Sequence, residues 1–100
     1  SLEVDVSKVE EFSLKEIIAI LVSQLINNEE ELIIKQSESK EDGTIQIEVE
    51  VDPSDVGKVL GKGGKVVEAI RTVTYAIGAK RHKRLSFYIN HKHEEPNYNK

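Results

Sequence analysis

A chain of 100 residues with 38% apolar and 32% charged side chains has the composition of one soluble globular domain around a single two-layer core. It contains no cysteine, so disulfides, thiolate nucleophiles and thiolate metal sites are excluded, and no apolar run nears the roughly 18 residues of a membrane span. The formal charge of −4 hides a partition: residues 1–55 carry 4 Lys/Arg against 15 Asp/Glu, whereas residues 56–84 carry 8 Lys/Arg against Glu68 alone. Because salt screens charge over about 8 Å, the local balance decides what a surface attracts, and an acidic chain of this kind remains open to a polyanionic partner. Segregated charge is equally the mark of a solvated surface laced with internal ion pairs. The acidic N-terminus is the opposite of a basic signal-peptide region, so a cytoplasmic protein is expected, with Ser1 read as a processed or appended end.

Taken in chain order, Phe12-Ser13-Leu14-Lys15-Glu16-Ile17 predicts a helix entrance, with Ser13 and Glu16 at capping-box spacing and Phe12 and Ile17 placed as a hydrophobic staple. Leu14, Ile17, Ile18, Leu21, Val22 and Leu25 form one apolar stripe on a helix expected to stop near Asn27-Asn28. Leu32-Ile33-Ile34 and the alternation of Ile45, Ile47, Val49 and Val51 with Thr44, Gln46, Glu48 and Glu50 predict two strands, joined as an antiparallel hairpin by the polar link 38–43. Asp52-Pro53-Ser54-Asp55 opens a short second helix running to Leu60. A third helix begins at Lys65, with Val66, Ile70, Val73 and Ile77 as its buried seam, thickened by Val67, Ala69 and Ala76. Lys65, Glu68, Arg71, Thr72 and Tyr75 face away, and Gly78 is the expected stop. Leu85, Phe87 and Ile89 alternate with Ser86 and Tyr88 as a last strand, and the chain from Asn90 is polar and frayed. The order is helix, strand, strand, helix, helix, strand. It implies an α+β fold, a three-stranded mixed sheet with three helices on one face, in which a two-helix crossover lets the last strand lie parallel to the second.

Between the second and third helices lies Val56-Gly57-Lys58-Val59-Leu60-Gly61-Lys62-Gly63-Gly64-Lys65, where glycines and lysines cluster. Glycines let backbone N–H groups approach a ligand closely, and the neighbouring lysines supply charge. A P-loop is excluded because Gly57 and Gly61 have three residues between them rather than four, and Lys62 is followed by Gly63 where a hydroxyl must hold Mg²⁺. The dinucleotide fingerprint needs a preceding strand, and here a helix precedes. What remains is a Gly-x-x-Gly joint presenting the positive amino end of a following helix beside Lys62 and Lys65.

This run, followed by Ala69-Ile70-Arg71-Thr72-Val73, resembles a KH domain of type II over residues 13–89, and within that class the small stand-alone bacterial KH proteins. The resemblance implies that single-stranded RNA is the partner, its backbone clamped by Gly61, Lys62, Gly63 and Gly64 with Lys58 and Lys65 flanking the path. Bases would lie in an apolar groove for which Val56, Val59, Leu60 and Val67 are candidates, some of them equally readable as core. It also implies an RNA chaperone or post-transcriptional regulator, and a homodimer or a complex with a larger Jag-type KH protein, in pathways of cell elongation and division. Residues 1–12 and 90–100 fall outside the resemblance, as an N-terminal extension and a polar tail.

Several residues carry two readings. Lys80, Arg81, His82, Lys83 and Arg84 either extend the RNA path or protect a helix end, where cations are favoured, and Arg71 either reaches a phosphate or pairs with Glu68 three residues back. His91 and His93 lack a third ligand, so no metal is expected, nor a cofactor or a small-molecule substrate. No Ser, His and acid grouping has local context, which argues against an enzyme. The alternative to RNA binding is a protein-interaction or dimerisation module that has kept the fold, motivated by the acidic surface of residues 1–55.

Overall fold

The structure is a computed structural model that describes residues 2–8 and 11–91; the histidine pair and the tail fall outside the described side chains. Helix α1 spans Leu14–Ser23. Its capping box is complete: Ser13 Oγ accepts the Glu16 N–H at 3.1 Å and Glu16 Oε1 accepts the Ser13 N–H at 3.0 Å. The Ser13 backbone donor holds the Glu16 carboxyl below its ordinary pKa. Leu14, Ile18 and Val22 bury the inner face.

The helix stops short of the expected Asn27-Asn28, and the physical reason is distant in sequence. The N–H groups of Asn27 and Asn28, which would have continued the helix, donate instead to the Asp55 carboxylate at 3.1 and 2.9 Å. After this turn Ile26 is buried and Leu25 exposed, and Leu21 within α1 is exposed as well, correcting the tail of the predicted stripe.

Strands β1 (Ile33–Glu38) and β2 (Ile45–Val51) form the expected antiparallel hairpin, with Ile33 opposite Glu50 and Glu38 opposite Ile45. Gly43 turns the chain at φ 74°, and Asp42 Oδ1 accepts the Thr44 N–H. The alternating apolar set of β2 faces the helices and is buried. A 3₁₀ turn at Pro53–Asp55, with Asp52 accepting the Ser54 N–H, leads into α2 (Val56–Leu60). After the glycine joint come α3 (Lys65–Lys80) and β3 (Leu85–His91), which lies parallel to β2 with Phe87 beside Ile47. The sheet order is β1-β2-β3. One cluster from α1, α2, α3, β2 and β3 fills the space between sheet and helices. The last strand outruns its predicted end: Asn90 and His91 pair with Glu50 and Val51.

The inner seam of α3 also differs from the prediction. Val67, Ile70, Thr74 and Gly78 are buried, Val66 and Ile77 half-buried, and Val73, Ala69 and Ala76 face outward. Both seams obey three- and four-residue spacing, and the true one contains a threonine whose hydroxyl is silenced by donating to Ile70 O at 2.8 Å. Gly78 is no stop. It lets β3 approach, since a Cβ there would lie 2.9 Å from Lys83 O and 3.1 Å from Leu85 Cγ. The helix ends two residues later, where the His82 N–H donates to Ala79 O and the Lys83 N–H to Gly78 O, with His82 at φ 59° in the place glycine usually takes.

Candidate nucleic-acid interface

Among the described residues the positive-φ glycines concentrate at one joint: Gly61 at 74°, Gly63 at 64° and Gly64 at 77°. Each has its own reason. At Gly61 a Cβ would collide with the Val66 side chain and stand 2.9 Å from its backbone N, so the joint closes only without one. Gly63 and Gly64 have open space around the missing Cβ and are required by backbone conformation alone. Between them the Gly64 N–H donates to Gly61 O at 3.0 Å, forming a tight 3₁₀ turn over Lys62–Gly64.

The joint delivers the chain into α3 with Gly64 as N-cap and no side-chain cap. The Lys65 N–H is held by Lys62 O within the joint, and the positive end of a helix about 24 Å long lies there without a side-chain cap. Lys62 and Lys65 are exposed on either side. Glu68, the acid of that first turn, is held by Arg71 at 2.7 Å. Two exposed cations, a helix amino end and an acid paired with Arg71 thus lie together at the joint.

Lys58 is placed differently. Its ammonium stands 3.6 Å from Asp55 Oδ1 and donates to Ser54 O at 3.3 Å, so part of its charge is spent inside the domain. Asp55 is fully buried and accepts from the Asn27 and Asn28 backbones and from Asn28 Nδ2. Burial pushes its pKa up, but those three hydrogen bonds together with Lys58 outweigh burial and hold the carboxyl below the ordinary value. The group thus ties the end of α1 to the start of α2 as a carboxylate.

Of the four groove candidates, Val59 and Val67 are buried and belong to the core, whereas Val56 is half-buried and Leu60 is 37% exposed beside the joint. Of these four, only Val56 and Leu60 present apolar surface to solvent. Gly57, which the residue-type reading did not single out, sits on the solvent side of α2 with helical geometry and nothing within 4 Å of its missing Cβ. Neither φ nor packing demands glycine there. A glycine within a helix at about 1 kcal/mol disadvantage against alanine, and without a fold-based need, is the signal that could have marked it.

The auxiliary basic residues are not gathered at this site. Arg71 Nε donates to Phe87 O at 3.1 Å, its guanidinium lies 5.7 Å from the Phe87 ring centroid, and Tyr75 Oη accepts the Phe87 N–H at 3.0 Å. Both side chains, expected to face away, occupy the free edge of β3 and block it from pairing. Arg81 donates to Phe12 O at 2.7 Å and lies 3.7 Å from Glu11; Arg84 lies 3.8 Å from Asp42. Lys80 and Lys83 are exposed, but at the far end of α3 from the glycine joint.

An α+β domain with a β1-β2-β3 mixed sheet, three helices on one face and a Gly-x-x-Gly joint between α2 and α3 is a type II KH fold. Residues 15–89 match the family model of the KhpA/KhpB KH domain, and the chain belongs to that family. It is 37% identical to the RNA-binding protein KhpA of Aquifex aeolicus, over 77% of this chain and 95% of that one. It is 39% identical to the RNA-binding protein KhpA of Oceanobacillus iheyensis over 72% and 93% of the two chains, and 33% identical to that of Bacillus subtilis over 76% and 91%. Each of these relatives is named as an RNA-binding protein and none as an enzyme. Among the described residues no helix is long and apolar enough to cross a membrane, and no three His, Cys, Asp or Glu side chains converge as metal ligands.

Proposed function

We propose that the chain binds single-stranded RNA by its backbone, with the Gly61–Gly64 joint as the clamp and Lys62 and Lys65 as its cations. The observation that carries this reading is the conjunction of three left-handed glycines with an uncapped helix amino end between two exposed lysines. Phosphate oxygens accept from first-turn N–H groups of α3 beyond Lys65, whose own N–H is held by Lys62 O, while the lysines neutralise adjacent phosphates. Gly57 gives bare backbone over which the strand passes, and Val56 and Leu60 offer apolar surface to one or two bases, so sequence preference is loose. Contacts of this kind grip a strand without transforming it, which suits an RNA chaperone or post-transcriptional regulator in the cytoplasm. The resemblance to small bacterial KH proteins extends the proposal to pairing, with a second copy or a larger Jag-type KH protein, in cell elongation and division.

Replacing Lys62 and Gly63 together by Asp sets two carboxylates against the phosphates. The fold tolerates it, because the space at Gly63 is open and Asp visits positive φ more readily than most residues. Fluorescence polarisation with a labelled single-stranded RNA is expected to show loss of binding with an unchanged circular dichroism spectrum; retained affinity would refute the clamp.

A further inference from the structure

The glycine joint engages only the start of α3, and the basic run at the other end of that helix is left without a task. Lys65, Glu68, Arg71, Tyr75 and Ala79 follow one another at three- and four-residue steps, so they form one row down α3 that begins at the joint. The row passes the free edge of β3, where Arg71 and Tyr75 hold the backbone of Phe87. Its acid, Glu68, is paired with Arg71. From residue 69 to residue 91 the sequence holds five Lys/Arg and no Asp or Glu, so nothing further along the row repels a polyanion.

The row ends at a cavity of about 440 Å³ lined by Tyr75, Ala79, His82, Lys83, Arg84 and Leu85. Tyr75, Ala79 and Leu85 give it an apolar wall, and the hydrogen bond from the Phe87 N–H pins the Tyr75 phenol. Lys83 and Arg84 supply the charge, and no acid lines the cavity. Arg84 stands 3.8 Å from Asp42 and is 76% exposed, a loose surface pair that a phosphate can displace. Arg81 is turned away, to Phe12 O and Glu11.

His82 is the second sign of a site. Among the described residues it alone holds a positive φ, 59°, without being glycine, whereas Gly43, Gly61, Gly63 and Gly64 occupy the others. Glycine is the less strained residue at such a helix end, so the fold by itself does not ask for a histidine there. Keeping one puts a polar ring-bearing residue on the lining of the cavity.

We infer that this cavity is a second contact for the same RNA strand, taking one base against Tyr75 and the adjoining phosphates on Lys83 and Arg84, with His82 beside them. The inference rests on the clamp proposed above and lengthens its footprint. The fourteen steps from Lys65 to Ala79 cover about 21 Å along the helix. About six nucleotides at a stacked spacing of roughly 3.4 Å bridge that distance. With about four nucleotides at the joint, the whole track takes about ten. An aromatic face stacks with any base and cations read only backbone, so the cavity adds affinity and length without sequence choice.

The test compares a labelled pentanucleotide, which covers the joint alone, with a labelled dodecanucleotide, both single-stranded RNA, by fluorescence polarisation at several salt concentrations. With two phosphates neutralised at the joint and two more at the cavity, raising salt from 50 to 200 mM is expected to weaken the pentamer about 7-fold and the dodecamer about 50-fold. Lys83→Ala/Arg84→Ala changes two exposed side chains and is expected to return the dodecamer to about 7-fold while leaving the pentamer as it was. His82→Gly relieves the positive φ, so it is expected to raise the melting temperature and weaken the dodecamer alone. In ¹⁵N-labelled protein the Tyr75, His82, Lys83 and Leu85 amides are expected to shift with the dodecamer and not with the pentamer. Equal salt responses for the two lengths, or a dodecamer response unchanged in Lys83→Ala/Arg84→Ala, would overturn the second contact and leave the clamp standing. Equal shifts at the cavity with the pentamer would overturn the continuous track. Pentamer binding that survives Lys62→Asp/Gly63→Asp would refute the clamp instead, so the two readings fail separately.

Discussion

Changing Lys62 to alanine removes one of the two cations that the structure leaves exposed at the glycine joint. Lys58 is drawn to buried Asp55 at 3.6 Å, so the number of neutralised phosphates is taken as two, Lys62 and Lys65. For single strands the logarithm of affinity falls by about 0.7 per phosphate for each tenfold rise in salt. Going from 50 to 200 mM salt, two phosphates predict a loss of about 7-fold in the unmodified chain, and one phosphate about 2.6-fold in Lys62→Ala. Fluorescence polarisation titrations of one labelled RNA at four salt concentrations give both slopes. Lys58→Ala is expected to leave the slope of the unmodified chain nearly unchanged. A loss of about 18-fold, the value for three phosphates, would show that Lys58 abandons Asp55 for the RNA. A slope unaffected by Lys62→Ala would refute the assignment of the joint as the electrostatic site.

Other outcomes follow from single atoms. Gly57→Ala is expected to stabilise the domain by about 0.5–1 kcal/mol in urea unfolding while weakening RNA, because the position has helical geometry and free space; stabilisation without loss of affinity would remove Gly57 from the strand path. Gly61→Ala combines a positive φ with the Val66 clash and is expected to lower the melting temperature by about 4–8 °C for each kcal/mol, with Gly63→Asn far milder. Gly78→Ala is expected to cost about 1–3 kcal/mol by pressing on Lys83 O and Leu85, read by the same unfolding titration. Asp55 has a folded-state pKa below the ordinary 3.8. Its contribution is therefore complete above the unfolded value and is lost as pH falls through the lowered folded value. Acid titration followed by circular dichroism is expected to show a smaller stability drop below pH 4 in Asp55→Asn than in the unmodified chain; equal drops would contradict the role of its charged form.

Local chemistry made the elements legible in the sequence. The Ser13–Glu16 capping box, the alternation along β2 and the Asp52-Pro53 entrance are complete within a few residues, and each appears where expected. The joint was readable for the same reason, since three glycines and two lysines need no distant partner to declare themselves. What stayed hidden depended on contacts across the chain. The early end of α1 is set by Asp55, about 28 residues on. The seam of α3 turned on Thr74, whose bonded hydroxyl makes a polar residue behave as core, while apolar Val73 took the outside. Arg71 and Tyr75 looked like solvent-facing residues because the Phe87 edge they cover lies beyond the next turn of the chain. Likewise the basic residues after Ala79 are close to the joint in sequence composition but lie a helix length away in space.

The proposed hold on phosphates by the backbone of the joint and the first turn of α3 is read out by titrating ¹⁵N-labelled protein with a short single-stranded RNA and following amide shifts. The largest changes are expected at Lys62, Gly63, Gly64, Lys65 and Val66, with smaller ones at Gly57 and Leu60. Changes centred on Lys80–Arg84 or on the outer sheet face at Lys35, Glu48 and Tyr88, with the joint silent, would contradict it.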